Sequence, residues 1–160
     1  MPIVEVLFHI FPRGGQRMQF SRRSDYSVRA MMDVAAIPPG ALALTHEIAS
    51  RQEIPSAFLT KIVGRLTQEG LLRTYRGAFG GVILGRPAEQ ITMRQIIEAV
   101  EGPINLMWCL VQPGECHLDT TCPVHEVWHQ AQAELLRRLD SVTLADLVKR
   151  KAVLQAQAGA

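Results

Sequence analysis

Long apolar runs are missing from this 160-residue chain. No uninterrupted apolar segment approaches the roughly 18 residues of a membrane-spanning helix, so no membrane span or membrane partner is expected. The apolar N-terminal stretch IVEVLFHIF is short, and it lacks a basic flank before it and a small-residue cleavage site after it. It is therefore a poor candidate for a secretory signal.

Cysteine is also scarce, with three residues in the whole chain. The odd number and the lack of a secretory signal argue against a disulfide framework and favour a reducing, cytoplasmic setting. A chain of this length can bury a core without disulfides. No phosphate-binding loop, catalytic triad or substrate pocket is recognisable in the sequence, so neither an enzyme nor a small-molecule substrate is expected.

Charge of one sign does not dominate, since the formal net charge is only +2. The distribution is more informative. Residues 1–90 hold 11 Lys and Arg against 7 Asp and Glu, a net charge of +4, whereas residues 91–160 hold 6 against 8, a net charge of −2. A basic front half fits a nucleic-acid-binding region, although an ordinary solvated surface would explain the same scatter.

The chain divides into four segments. Residues 1–17 are expected to be an N-terminal extension, or the result of a start codon assigned too early, with the domain starting at Met18. Residues 18–90 are expected to form the DNA-binding region, and residues 91–151 are expected to form a second region. The Ala/Gln-rich residues 152–160 are expected to be a frayed tail.

The first region has the pattern of a winged helix-turn-helix. Apolar spacing predicts helices from Ser24 to the PPG at 38–40, over Thr45–Arg51 and over 55–69, with Pro55 in the first turn of the third. One face of the third helix carries the apolar residues Phe58, Leu59, Ile62, Val63 and Leu66. Two β-prone runs, 71–75 and 82–84, flank a Gly-rich turn and predict a hairpin.

The second region is predicted to be helical. Thr92 and Gln95 form a capping box at the start of one helix, which Gly102 ends. After Pro123 a 3.6-residue apolar repeat predicts a long amphipathic helix to about Leu139. A short helix through 147 follows. The expected inward apolar face of the long helix comprises Val124, Val127, Trp128, Ala131, Leu135 and Leu139. The fold class is therefore mainly α: a winged helix-turn-helix with a long C-terminal helix.

The second helix of a helix-turn-helix enters the major groove, and residues 55–69 occupy that position. Small hydroxyl and basic side chains there suit base edges and phosphates. A basic residue at a Gly-rich wing can enter the minor groove. The alternative is a solvated basic face. The predicted DNA-binding residues are Ser56, Ala57, Thr60, Lys61, Arg65, Arg73, Tyr75 and Arg76.

All three cysteines fall in the stretch CLVQPGECHLDTTCPVH, spaced Cys109-x6-Cys116-x5-Cys122-x2-His125. Zinc sites usually have tighter cysteine pairs. Wide gaps favour the separated irons of an iron–sulfur cluster, and a Pro after the last cysteine also occurs in such motifs. A zinc site, a redox thiol pair and cysteines without a role are the alternatives. His125 can face the loop as a fourth ligand, or it is a helix-surface residue.

In these motifs the sequence resembles the Rrf-type family of bacterial transcriptional regulators, the IscR/NsrR/RirA group. The resemblance extends from Met18 to about Lys151. It is carried by the following stretches: SDYSVRAMMDVA at 24–35, EIASRQEIPSAFLTKIVGRLTQEGLLRTYRGAFGGVILGRP at 47–87, ITMRQIIEAVEGP at 91–103, the three cysteines, and SVTLADLV at 141–148.

The resemblance implies a winged-helix homodimer in which the long helix crosses that of its partner. It also implies a cluster, 2Fe–2S or 4Fe–4S, bound by Cys109, Cys116 and Cys122 near the dimer interface. By position, His125 matches the histidine ligand of the IscR branch. Asp25 matches an acid that completes the cluster from the other subunit in the nitric-oxide-sensing branch.

One departure concerns the first gap, which has six residues here and five in the IscR and NsrR branches. The expected function is nevertheless that of a repressor whose binding to double-stranded operator DNA is controlled by an iron–sulfur cluster sensing iron, redox or nitric oxide status. The alternatives are the same fold with a thiol or zinc sensor, and a small iron–sulfur redox protein that does not bind DNA.

Overall fold

A computed structural model describes residues 20–38, 40–77, 80–111, 114, 116, 118 and 120–159. The predicted extension, 1–17, and the predicted start at Met18 lie outside these residues. In chain order the elements are α1 (Arg22–Ala35), α2 (Thr45–Gln52), α3 (Ser56–Gln68), β1 (Leu72–Tyr75), β2 (Gly81–Leu84), α4 (Met93–Glu101), α5 (Pro123–Asp140) and α6 (Leu144–Ala158). Short 3-10 helices span Ala88–Gln90 and Trp108–Leu110. The mainly α prediction is confirmed.

The first helix begins two residues before its predicted start. Ser21 is its N-cap, and the Ser21 hydroxyl oxygen accepts a hydrogen bond from the backbone N–H of Arg23 at 3.1 Å. Met31 and Ala30 face inward and are almost fully buried. The helix ends just before the predicted stop at the PPG sequence.

The second and third helices form the predicted helix-turn-helix. Glu53 adopts a left-handed backbone conformation, with φ at 53°, which ends α2 and turns the chain. The sequence predicted Pro55 in the first turn of α3, but Pro55 is instead the N-cap of that helix. Gly70, with φ at 68°, ends α3 as expected, and the N–H of Leu71 donates back to the carbonyl of Leu66 at 2.8 Å.

The predicted hairpin is confirmed. Strands β1 and β2 are antiparallel, with Leu72 opposite Leu84 and Tyr75 opposite Gly81. Ala43, in the segment before α2, exchanges two backbone hydrogen bonds with Val82, each 2.9 Å long. The hairpin is thereby attached to the helix-turn-helix through its second strand.

The capping box at Thr92 and Gln95 is also confirmed. Thr143 and Asp146 form a second one at the start of α6. These two helix starts lie side by side, because residues 91–93 and 142–144 exchange two backbone hydrogen bonds of 2.9 and 2.8 Å. Helix α6 runs to Ala158, well beyond the predicted end at 147 and through most of the predicted tail, because its Ala, Leu, Lys and Gln residues favour a helix.

A single core joins α1, α2, α3, the hairpin, α4 and α6. Helix α5 packs against α4 and the 3-10 helix at Trp108–Leu110. Its predicted inward face is largely uncovered in the single chain. Leu139 is buried, whereas Val124 and Val127 are 54% and 62% exposed. No helix among the described residues is long and apolar enough to cross a membrane.

Candidate DNA-binding surface and cysteine loop

Helix α3 has one buried and one exposed side. Leu59, Ile62, Val63 and Leu66 are buried. The five residues of this helix predicted to contact DNA are all exposed: Ser56, Ala57, Thr60, Lys61 and Arg65. The periodic pattern therefore identified the outward side of this helix correctly.

Phe58 is the exception. It was predicted to face inward, but it is 53% exposed. It lies on the first turn of α3, at the edge of the core, where its ring contacts Tyr26 of α1 edge to face, with ring centroids 6.3 Å apart. The core does not extend over this end of α3, so the apolar ring remains in part at the surface.

The basic residues of α3 and the hairpin are available to an anionic ligand. Among the described residues, Lys61, Arg65, Arg73 and Arg76 form no salt bridge. All four are exposed. A cation without an acidic neighbour can neutralise a phosphate without first giving up another ion pair, so these four residues suit a polyanion.

Two hydroxyl contacts lie at the two ends of α3. The Thr60 hydroxyl donates to the backbone carbonyl oxygen of Ser56 at 3.0 Å. At the other end of α3, the hydroxyl oxygens of Thr67 and Thr74 lie 3.0 Å apart. The second pair connects α3 directly to β1, so it holds the wing at a fixed position relative to the helix.

The first strand of the hairpin ends at Tyr75, which is 49% exposed. Gly77 has a φ of 109°, a conformation that favours glycine. A Cβ at Gly80 would lie 2.3 Å from the carbonyl oxygen of Tyr75, so only glycine fits there. The exposed Arg76 therefore sits at the start of a turn whose shape depends on two glycines.

Helix α1 is tied to α2 by a buried carboxylate. Asp33 is 8% exposed, and its Oδ2 accepts from Nη2 of Arg51 at 2.7 Å. Its Oδ1 accepts from Nε2 of Gln52 at 2.8 Å. The Asp33 hydrogen bond raises the pKa of Arg51, with Glu47 adding a weaker ion pair. This network fixes the end of α2 against α1.

The cysteine loop connects α4 to α5. Cys109 lies in the 3-10 helix, Cys116 in the following loop, and Cys122 is the N-cap of α5. All three are free thiols of intermediate burial. Among the described residues, no three His, Cys, Asp or Glu side chains are grouped closely enough to hold a metal ion. The donors have the chemistry of a cluster site, but the described part of the single chain does not bring them together.

The two candidates for a fourth ligand lie on different helices. His125 is half-buried on the first turn of α5, and its backbone N–H donates to the carbonyl of Cys122 at 3.2 Å. Asp25 is exposed on the first turn of α1, where its Oδ2 is 3.3 Å from Nη1 of Arg29. Among the residues described, neither side chain joins the cysteines in a group that could hold a metal ion.

The last residue of α4, Glu101, is bound to the start of α1. Its Oε1 accepts from the hydroxyls of Ser24, at 2.8 Å, and Ser21. Partial burial raises the pKa of Glu101, but these hydrogen bonds and the nearby Arg23 outweigh that effect, so the net pKa is below its ordinary value. The sequence patterns did not indicate a role for this residue. The one sequence feature that could have drawn attention to Glu101 is its position before Gly102, where the cysteine loop begins.

Comparison with known proteins agrees with this architecture. The Rrf2 family model, described as an iron-dependent transcriptional regulator, matches residues 20–150. A Haemophilus influenzae protein described as an HTH-type transcriptional regulator is 32% identical over 136 residues, covering 85% of this chain and 90% of that protein.

Two solved structures are similar over most of their length. The structure of CymR, described as the global cysteine regulator of B. subtilis, has a TM-score of 0.69 and 26% identity, covering 82% of this chain and 97% of that one. The structure of T. potens IscR has a TM-score of 0.66 and 28% identity, covering 86% and 91%. The chain therefore belongs to the Rrf2 family of DNA-binding transcriptional regulators, which are not enzymes.

Proposed function

We propose that this protein is a homodimeric repressor, active in the bacterial cytoplasm, whose operator binding is controlled by an iron–sulfur cluster. The observation that carries the proposal is the position of three partly buried thiols on the segment that connects α4 to α5. A change in that segment would act on α4, which packs against α1 and α3, and on α5.

The ligands would be the thiolates of Cys109, Cys116 and Cys122. Thiolates are the usual ligands of 2Fe–2S and 4Fe–4S clusters. His125 in the same chain, or Asp25 of the partner subunit, would complete the set. A bound cluster would supply iron–thiolate bonds that form or break with iron supply, oxidation or nitric oxide.

An exposed apolar surface on α5 and the cysteine loop supports a dimer. Trp108 is 69% exposed, and Val124 and Val127 are each more than half exposed. The 3-10 helix that carries Trp108 packs against α5, so these side chains lie on neighbouring elements. Exposed apolar groups that cluster in this way mark protein contact surfaces. Since α5 has 18 residues, it is long enough to lie along the same helix of a second subunit. Burial by that subunit would explain why the predicted apolar face is largely exposed in one chain.

The DNA contact would come from α3 and the wing. Two copies of α3 would enter successive major grooves of a pseudo-palindromic operator, with half-sites about one helical turn apart. Phosphates would be contacted by Lys61, Arg65 and Arg73. The DNA groove next to the hairpin would be contacted by Tyr75 and Arg76. Ser56, Ala57 and Thr60 would face base edges.

Thr60 should read bases mainly through its methyl group. Its hydroxyl hydrogen is donated to Ser56, so the outward features are the methyl and an oxygen lone pair. We expect Thr60→Ser, which removes the methyl, to lower affinity by roughly 3- to 10-fold at sites with thymine at the contacted position. Thr60→Val should retain that preference. Binding to a selected duplex and all its single-base-pair variants measures this, and unchanged preference in both variants would exclude Thr60 as a base reader.

Metal analysis of protein purified without oxygen tests the cluster. We expect iron and acid-labile sulfide in a fixed ratio, together with visible absorbance. All three should be lost in Cys109→Ser, Cys116→Ser and Cys122→Ser. Operator affinity should differ between the loaded and the chelator-treated protein by about 5- to 150-fold. Iron-free, colourless wild-type protein would refute the cluster, and equal affinity in both states would refute the switch.

A thiol switch is the second candidate. It is favoured by the free thiols, which are not grouped closely enough to hold a metal ion among the described residues. In this case the protein would carry neither iron nor zinc, and a mild oxidant would alter DNA binding reversibly. Zinc without iron would instead indicate a zinc-held loop.

A further inference from the structure

The ends of α1 and α4 are joined by contacts between residues far apart in sequence. Glu101 Oε1 accepts hydrogen bonds from the hydroxyls of Ser21 and Ser24. The guanidinium of Arg23 donates from Nη1 to the carbonyl oxygen of Val100 at 2.8 Å. We call this contact the α1–α4 latch: Ser21, Arg23 and Ser24 on one side, Val100 and Glu101 on the other.

The latch gives a hydrogen-bond partner to one buried group, the Ser24 hydroxyl, whereas Ser21, Arg23 and Glu101 are exposed. Ser24 is 2% exposed, so its hydroxyl has little access to water once the carboxylate is withdrawn. The Glu101 carboxylate also lies beside the N-terminal end of α1, where free backbone N–H groups favour negative charge. Both effects stabilise the contact between α1 and α4. Separating the two helix ends requires the hydrogen bonds of Glu101 and Arg23 to break.

One side of the latch is adjacent to the cysteine loop. Glu101 is the last residue of α4, and Gly102, with a φ of 86°, starts the chain toward Cys109. The loop entrance is held by two further contacts: Ile104 N–H donates to Glu98 Oε1 at 3.2 Å, and Leu106 N–H to Gln132 Oε1 at 2.9 Å. A displacement of the loop therefore reaches the end of α4 first.

The other side of the latch belongs to the helix that carries the helix-turn-helix. Helix α1 packs on both α2 and α3. Arg29 donates from Nη2 to the carbonyl of Gln52, at the end of α2, and Asp33 binds Arg51 and Gln52. Because these contacts attach α2 firmly to α1, a movement of the first turn of α1 moves the DNA-binding helices as well.

We infer that Glu101 is a positioning residue through which the conformation of the cysteine loop controls the placement of the helix-turn-helix. This rests on the proposed function for the nature of the signal, but the mechanical link is a property of the chain alone. Glu101 is neither one of the proposed DNA contacts nor one of the proposed cluster ligands. Helices α1 and α3 also pack on α4 through the core, and Glu101 acts by setting how the first turn of α1 meets the end of α4.

The test compares Glu101→Ala with Glu89→Ala. Glu89 is exposed and forms no ion pair among the described residues, so its variant controls for the removed charge. The probe is a duplex selected by wild-type protein from a random pool, and affinity is measured for loaded and chelator-treated protein. We expect Glu101→Ala to reduce the affinity ratio to within about twofold of one, and Glu89→Ala to leave it as in wild type. Glu101→Gln, which keeps an acceptor for Ser24, should retain part of it.

Hydrogen exchange separates the latch from a general loss of stability. In chelator-treated Glu101→Ala we expect amides of α1, α2 and α3 to exchange several-fold faster than in Glu89→Ala, with α5 unchanged. Uniformly faster exchange, or an affinity ratio equal to that of wild type, would overturn the inference. If wild-type protein binds no iron, the proposed function fails, and hydrogen exchange alone tests the latch. In that case, the absence of faster exchange in α1 to α3 of Glu101→Ala would overturn the inference.

Discussion

Replacing Lys61 and Arg65 together with alanine should reduce operator affinity by at least about 10-fold and make the remaining binding much less sensitive to salt. Both side chains are exposed on α3, and neither has an acidic partner among the described residues. Each phosphate interaction that is removed subtracts about 0.9 from the slope of log affinity against log salt concentration. Because the two substitutions occur in both subunits, the slope should flatten by about 3 to 4.

The matched control removes two exposed cations elsewhere. Lys149 and Arg150 lie on α6, away from α3 and the wing in sequence, and are also exposed. Lys149→Ala/Arg150→Ala changes the net charge by the same amount, so it reveals the effect of charge alone. Titration of a fluorescent duplex over a series of salt concentrations gives both slopes. Equal flattening in both double variants would mean that α3 is not the DNA-contacting helix.

The second large effect is expected for stability. Asp33→Ala should lower the free energy of unfolding by about 2–4 kcal/mol, because it leaves Arg51 and Gln52 without their buried acceptor. The Asp33 side chain is only 9% exposed, but that of Arg51 is 44% exposed, which places the effect below that of a fully buried pair.

Glu47→Ala provides the comparison for Asp33→Ala. Glu47 also pairs with Arg51, with Nη1 and Oε2 3.2 Å apart, but its side chain is 47% exposed. An exposed pair of this kind contributes roughly 0–1 kcal/mol. Urea unfolding followed by circular dichroism should therefore show a large shift in midpoint for Asp33→Ala and a small one for Glu47→Ala. Similar shifts would mean that the Asp33 contact does not hold α1 to α2.

Local signals explain what the sequence predicted well. The capping box at Thr92 and Gln95, the stop at Gly70 and the hairpin around its glycine turn depend on residues close together in the chain. The buried side of α3 follows from its own 3.6-residue repeat. The fold class and the exposed side of α3 therefore follow from short-range patterns in the sequence alone.

Three of the failures involve partners that the local sequence does not contain. Phe58 fits the apolar repeat of α3, yet the core ends before it and its ring meets Tyr26 only edge to face. The apolar repeat of α5 was recognised as one face, but within the described part of the chain Val124 and Val127 remain largely uncovered. Glu101 and Ser24 are 77 residues apart, so no periodicity could have indicated their contact.

The hydrogen-bonded pairing of residues 91–93 with 142–144 has a consequence for how the family can diversify. It brings the chain back beside the start of α4, so α4, the cysteine loop and α5 form one segment whose two ends are hydrogen-bonded to each other. For such a closed segment, one added residue changes the closure entropy by well under about 0.1 kcal/mol. Lengthening the first cysteine gap by a residue can therefore change the spacing of the thiols while leaving the folding of the DNA-binding core almost untouched.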